Sequence, residues 1–310
     1  MQGSGHDADP AVAPGRGWLP AAAIATTLLL WASAFVAIRH LGHEVTPGAL
    51  SLGRLLVAAV VLSALLARSP RERLTRREVA LLLGCGIAWF GIYNLALNAS
   101  ERRIDAATAA MLVHIGPLLI ALLAAVFLGE RLTGWFALGM AVAFGGVVVI
   151  ATATRGHGAS DLRGILLALL AAATYAIGVV CQKVLLRRLS GLQVTCLACW
   201  IGALVCLPWV GDLGTVVRHG STGTLVLIAY LGVFPTALAF STWAFALKHT
   251  DAGKQAITTF LVPGLTALLA WALLDEVPPA MVFVGGAICI GGVLVTRRTP
   301  RARAQISTQA

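Results

Sequence analysis

Two stretches of matching design set polar groups and a proline inside otherwise apolar runs. Val113 to Glu130 reads VHIGPLLIALLAAVFLGE, with His114 and Pro117 inside it and Glu130 at its end. Thr259 to Glu276 reads TFLVPGLTALLAWALLDE and aligns with it without a gap. Pro117 falls on Pro263, Ala121-Leu122-Leu123-Ala124 on Ala267-Leu268-Leu269-Ala270, and Glu130 on Glu276. A histidine within an apolar run faces a cavity and can relay a proton or bond a ligand. Each proline removes one backbone hydrogen bond and frees a carbonyl, which lipid tolerates only where protein or a cavity satisfies it. Pro117 and Pro263, with Gly116 and Gly264 beside them, are therefore candidate hinges lining a central path. An acid at a helix C-terminus opposes the helix dipole and calls for a partner. That makes Glu130, followed by Arg131, and Glu276 candidate gates or loop locks. The counterpart of His114 is Phe260, so the repeat itself does not require a histidine there.

Arg54 follows LSLG about a turn and a half into its apolar run. It can hold an anionic group such as a carboxylate or run its long stem to the outer interface; a structural or interfacial role is the preferred reading. Trp31, Tyr93, Asn94, Tyr175, Tyr230 and Trp243 can supply aromatic walls and hydrogen bonds to a mainly apolar pocket. His40, His43 and Glu44 form the one cluster resembling a metal or catalytic set, but no further ligand accompanies them, so no catalytic residue, metal or cofactor is assigned. The six cysteines lie in apolar runs, where a thiol packs as a small apolar group. No phosphate-binding GxxxxGK[ST] loop occurs, which argues against ATP as the energy source. No carboxylate falls in the middle of an apolar run, which argues against proton coupling through a buried acid.

The elements that position these residues are membrane helices. The chain has 310 residues, of which 58% are hydrophobic and 12% charged, and its mean hydropathy is +0.87. Soluble domains carry about a quarter charged residues. Runs of about 20 apolar residues occur at 18–38, 48–67, 78–98, 106–128, 134–152, 164–184, 192–210, 222–247, 255–274 and 280–296. The fold expected is therefore all-α, with ten transmembrane helices. Lys and Arg outnumber Asp and Glu by 23 to 13. The excess clusters at 68–77, 183–188 and 297–303, on one side of such a topology, which places both termini in the cytoplasm. Positive charge so placed reports topology in a lipid bilayer and not binding to nucleic acid. Residues 1–17 and 297–310 read as disordered cytoplasmic tails.

The duplicated stretch belongs to a longer repeat offset by 146 residues, with Gly139 on Gly285 and Gly145-Gly146-Val147 on Gly291-Gly292-Val293. The two halves, 18–152 and 164–296, hold five spans each. Because five is odd, they cross the membrane in opposite senses, the arrangement of secondary transporters with a midplane site between repeats. Ala141 to Gly145 and Ala287 to Gly291 are small-xxx-small pairs suited to internal helix contact, with a homodimer face as the alternative.

Leu30-Trp31-Ala32-Ser33-Ala34-Phe35, Arg54 with small apolar residues after it, Ala96-Leu97, Pro117, Leu128-Gly129-Glu130-Arg131-Leu132-Thr133 and Gly145-Gly146-Val147 occur in that order. This pattern resembles the EamA repeat of the drug/metabolite transporter superfamily, twice over. In the second half Asp275 stands where the pattern has glycine, and no Arg follows Glu276. The resemblance implies a ten-helix plasma-membrane carrier that exports small metabolites, amino-acid-like compounds or drugs. A membrane-embedded enzyme and a non-transporting scaffold are the alternatives, and the inverted repeat argues against both. Replacing His114 with Phe, as in the second half, is expected to preserve the fold and alter transport. Unchanged rates and pH dependence in His114→Phe would remove His114 from the path.

Overall fold

A computed structural model describes residues 18–116, 119–120, 123, 134–153, 162–249, 258–259, 261–277 and 279–296. Pro117, Glu130, Arg131 and both tails lie outside the described residues. Within them the regular structure is entirely helical: α1 (Trp18–Leu41), α2 (Pro47–Leu66), α3 (Arg76–Cys85), α4 (Tyr93–Glu101), α5 (Ala106–Val113), α6 (Gly134–Ala153) and α7 (Leu162–Leu185). There follow α8 (Gly191–Val205), α9 (Val210–His219), α10 (Thr222–Leu231), α11 (Ala239–His249), α12 (Leu261–Leu274) and α13 (Ala280–Thr296). Polar residues between apolar runs set the starts. Thr46, Asp105, Ser190 and Ser221 each accept a hydrogen bond from a first-turn amide of the next helix, and Thr75 with Glu78 forms a capping box on α3.

Among the described residues, five helical segments are long and apolar enough to cross a membrane: Trp18–Leu41, Pro47–Leu66, Arg76–Glu101, Leu162–Leu185 and Thr222–Leu247. A sixth results if the pair Gly191–Val205 and Leu207–His219, bent by 60°, counts as one. The chain is a multi-pass membrane protein. Its large exposed apolar side chains, among them Leu29, Val60, Leu166, Leu268 and Trp271, face hydrocarbon, where exposure carries no hydrophobic penalty.

Several of the segments expected to be plain helices are not. The run at 192–210 stops at Val205, because Pro208 in a short 3₁₀ turn, Leu207–Trp209, cannot continue it. The chain then forms α9, which was expected to be loop. Trp209, Leu213 and Val216 recur at helical spacing on its covered side, and Gly48 of α2 leaves room for the Trp209 ring. The second departure is a pair of π-helical segments. Gly86–Ile92 joins α3 to α4, and Gly232–Leu238 joins α10 to α11. Their first residues stand at the repeat offset of 146 residues.

The packing respects the repeat. α1 lies against α11, and its counterpart α7 against α4. α1 also lies against α12, and α7 against α5. α2 meets the second π segment, and α8 the first. The pairs α2 with α8, α5 with α12 and α6 with α13 join equivalent elements directly. Exchanging the halves maps this set of contacts onto itself, which is what a two-fold relation between them requires.

The α6–α13 contact shows how close that relation is. A Cβ on Gly146 would stand 2.6 Å from the Gly285 carbonyl oxygen, and one on Gly292 would stand 2.6 Å from that of Gly139. Cys289 Sγ lies 3.3 Å from the Ala143 carbonyl oxygen, across the same seam. Internal contact was expected, but from Ala141/Gly145 and Ala287/Gly291. Gly145 and Gly291 instead face open space, one position off the seam. Gly292→Val is therefore expected to abolish accumulation of folded protein, while Gly291→Val leaves it unchanged, as read by fluorescence-detected size exclusion in detergent.

Candidate functional site

A cavity opens among α1, α2, the first π segment, α4, α5, α7 and α11. Its lining includes Trp31, Phe35, Arg54, Trp89, Tyr93, His114, Tyr175 and Phe240. Aromatic rings tie its walls together across the two halves. Trp31 of α1 stands 5.5 Å from Phe240 and 5.1 Å from Trp243 of α11. Trp89 stands 5.2 Å from Tyr175 of α7 and 4.9 Å from Phe240. The Trp31 indole N–H is buried without a partner, a donor left over at the cavity.

Arg54 contributes the charge. It is 4% exposed, which excludes the interfacial half of the reading preferred from sequence and leaves the structural half: α2 packs against α8, α4 and the second π segment. Its Nε and Nη2 donate to Thr236 Oγ1 at 3.2 and 3.0 Å. The Thr236 hydroxyl in turn donates to the Leu231 carbonyl at 2.7 Å. The π segment explains this arrangement. Pro235 inside it has no N–H, and wide π turns leave carbonyls for side chains to satisfy. No carboxylate among the described residues forms an ion pair with Arg54.

His114 caps the end of α5, with its Nδ1 2.7 Å from the Ala110 carbonyl oxygen. A carbonyl only accepts, so Nδ1 carries the proton and Nε2 of the neutral ring is left as an acceptor at the cavity it lines. The helix breaks here because Pro117 follows: a proline ring clashes with the carbonyl four residues earlier, which is Val113. The second half behaves alike. A turn falls at Thr259, four residues before Pro263, and the Val262 amide donates to the Thr259 carbonyl at 3.0 Å. Pro263 thus sits buried in the first turn of α12 and not at a mid-span kink. Gly116 is required for another reason than flexibility: a Cβ there would meet the Tyr175 ring at 2.4 Å.

The remaining candidates separate. Tyr93 and Tyr175 line the cavity with rings 6.3 Å apart. Asn94 points away from it and donates to the Phe90 carbonyl at 2.8 Å, healing the first π segment. Trp243 backs the Trp31 ring without lining the cavity, and Tyr230 bonds Ser33 at 2.6 Å. Glu276 pairs with Arg39 at 2.7 Å, the partner that the dipole argument demanded. Asp275 before it has φ 54°, the left-handed geometry for which glycine is the natural fit and where the first half has Gly129. His40, His43 and Glu44 do not assemble a site: Glu44 accepts from Thr224 at the start of α10.

Trp89, Phe240, Thr236 and Glu101 were not singled out from sequence. A signal existed for some of them. Tyr93, Leu97 and Glu101 recur every four residues along one face of α4. Phe90–Leu97 (FGIYNLAL) also resembles Phe240–Leu247 (FSTWAFAL), with Trp89 just before the first segment and Phe240 opening the second. No carboxylate falls in the middle of a predicted span, but Glu101, at the end of α4, is 0% exposed, so the inference that no buried acid is available for a proton does not hold. The predicted span stopped at 98, but α4 runs on to Glu101 under cover of α1 and α7.

The profile of the EamA-like transporter family matches residues 18–152 and again residues 162–298. The chain belongs to that family. Among EamA relatives, a "Probable terminal-alkyne amino-acid exporter" of Streptantibioticus cattleyicolor is 37% identical over 287 residues, covering 92% of this chain and 96% of its own. "Uncharacterized transporter YdfC" of Bacillus subtilis is 28% identical, covering 86% and 87%. A "Probable amino-acid metabolite efflux pump" of Salmonella typhimurium is 25% identical, covering 88% and 95%. A crystal structure at 21% identity superposes with a TM-score of 0.60 over 90% of this chain and 96% of that one, which bears on the fold alone.

Within this EamA-like site, the hydroxyl between Arg54 and the Leu231 carbonyl is the testable joint. Thr236→Val should cost about 1 kcal/mol or more, because it strips a buried charge of its acceptor. Thr236→Ser should restore most of it. Equilibrium unfolding in detergent reads both.

Proposed function

We propose that this chain is a secondary-active exporter of small amino-acid-like metabolites, working by alternating access. The observation that carries the proposal is the unpaired guanidinium of Arg54 in an otherwise apolar, aromatic cavity between the two repeats. A buried charge without a counter-ion is costly, and a ligand carboxylate would relieve that cost with two parallel hydrogen bonds. Trp31 adds an N–H and His114 an acceptor, a pairing suited to a carboxylate and an ammonium held on one small molecule. The aromatic walls suit an apolar side chain. The names of the Streptantibioticus and Salmonella relatives point to the same chemistry.

The reading includes ten spans in two inverted halves, both termini in the cytoplasm of a plasma membrane, and transport instead of catalysis. Several features support it. α1, α4 and α12, which end the first, third and ninth predicted spans, bring Arg39, Glu101 and Glu276 to the same end of the bundle, as strict alternation requires. The Glu78–Arg188 pair, with Arg188 Nε 2.7 Å from Glu78 Oε1, lies at the opposite end of the third span. The symmetric exchange of contacts fits two packings of similar energy, one open to each side.

Proteoliposomes loaded with radiolabelled leucine, phenylalanine or propargylglycine test the proposal. Wild type should release all three faster than the matching amines that lack a carboxylate. Arg54→Gln should reduce release at least about tenfold, the worth of one charge-assisted contact. Equal release of acids and amines, or full activity in Arg54→Gln, would overturn it.

A further inference from the structure

Glu101 is the one fully buried acid among the described residues, and neither carboxyl oxygen has a hydrogen-bond partner. An ionised carboxylate in that position would be left without water or a counter-ion, which buried charges do not tolerate. The guanidinium able to neutralise it is already engaged. Arg39 donates from Nε to Glu276 Oε1 at 2.7 Å and from Nη1 to the backbone carbonyl of Glu101 at 2.6 Å. One arginine thus stands between two acids, bonded to the carboxylate of one and to the main chain of the other.

Charged groups act on Glu101 from every side: Arg39 from α1, Arg54 from α2, Glu276 from the stretch after α12 and Asp105 from the turn before α5. Asp105 is committed to its own helix cap, accepting from the Thr108 amide at 2.8 Å and its hydroxyl at 2.6 Å. Arg54 is held by Thr236. From α7, Arg163 is exposed. Arg39 and Glu276 are the two groups whose pairing can change without dismantling a helix cap or the cavity wall. Position also favours a link to the cavity. Tyr93 and Leu97 line it, and Glu101 lies one turn beyond Leu97 on the same face. Phe35 lines it as well, and Arg39 lies one turn beyond Phe35 on α1. Lock and cavity are therefore separated by about 5.4 Å of helix rise.

We infer that Glu101 is a proton-binding site whose occupancy decides which acid Arg39 holds. With the proton on Glu101, Arg39 pairs with Glu276 and ties α1 to the end of α12. When the Glu101 O–H bond breaks and the proton leaves to water through the cavity, the new carboxylate draws Arg39 off Glu276, and that end of the bundle is released. In each state Arg39 faces one ionised acid; in the second, Glu276 keeps its charge and is left to the solvent that its partly exposed side chain meets. The use of this switch in moving a substrate rests on the carrier reading above; the proton site does not.

Infrared spectroscopy of the full chain in liposomes at neutral pH tests the proton site directly. Wild type should show the C=O stretch of a protonated carboxylic acid, and Glu101→Gln should lose it. Glu276→Gln, which frees Arg39 for Glu101, should weaken or remove the same band with Glu101 still present; this arm decides the matter if Glu101→Gln does not fold. Transport is the second readout. Propargylglycine release by wild type should vary with an imposed pH gradient, Glu101→Asp should keep that dependence, and Glu101→Gln should lose it. An acid band that is absent in wild type, or that survives in Glu101→Gln, overturns the proposal, as does an unchanged pH profile in Glu101→Gln. If wild type releases nothing under any gradient, the carrier reading fails and the infrared band alone decides the proton site.

Discussion

A guanidinium placed in the middle of a membrane protein has no water to fall back on, and the architecture around Arg54 answers that constraint. The charge needs acceptors. The nearest acceptor is the hydroxyl of Thr236, and that hydroxyl is in position because the helix carrying it widens into a π segment. The widened turn exposes the Leu231 carbonyl, which the same hydroxyl satisfies. One threonine therefore settles an open backbone bond in one half and a buried charge in the other. The remaining capacity of the guanidinium faces an aromatic cavity.

The rest of the bundle follows from the requirement that the halves meet closely. Equivalent π segments lie against α2 and α8, which carry Arg54 in one half and an apolar run in the other. The scaffold is symmetric but the chemistry is not: in the repeat alignment His114 corresponds to Phe260, and Gly129 to Asp275. The asymmetry is tolerable because the fold depends on backbone approach at positions such as Gly146 and Gly292, and leaves the cavity-facing side chains free to differ. Asp275 shows the limit. The backbone there must be left-handed, and aspartate accepts that geometry at some cost.

Polar groups at the ends of the helices form a second layer. Glu78 with Arg188 holds one end of the bundle, and Arg39 with Glu276 holds the other. Arg39 lies within a turn of the cavity wall and beside an acid with no partner. That end is thus the one at which a change of charge in the cavity can be felt by the lock.

How much of this was legible in the amino-acid sequence depends on the range of the interaction. Apolar length, the placement of basic residues, the prolines, and the offset of the repeat are local or periodic properties. They determined the membrane class, the approximate places of the long apolar helices and the family likeness, and they pointed to Trp31, Tyr93, Tyr175 and His114, which line the cavity. The break at Val113 also follows from local sterics, since the proline four residues later forbids the turn. What only the tertiary structure decided are the partnerships between distant segments. Arg54 bonds Thr236 across 182 positions, and Arg39 meets Glu276 across 237. Whether Arg54 reaches an interface or a cavity, and whether Glu101 ends in water or under cover, is set by which helices lie over them. No pattern within a single helix carries that information, because burial belongs to the assembled bundle and not to the segment.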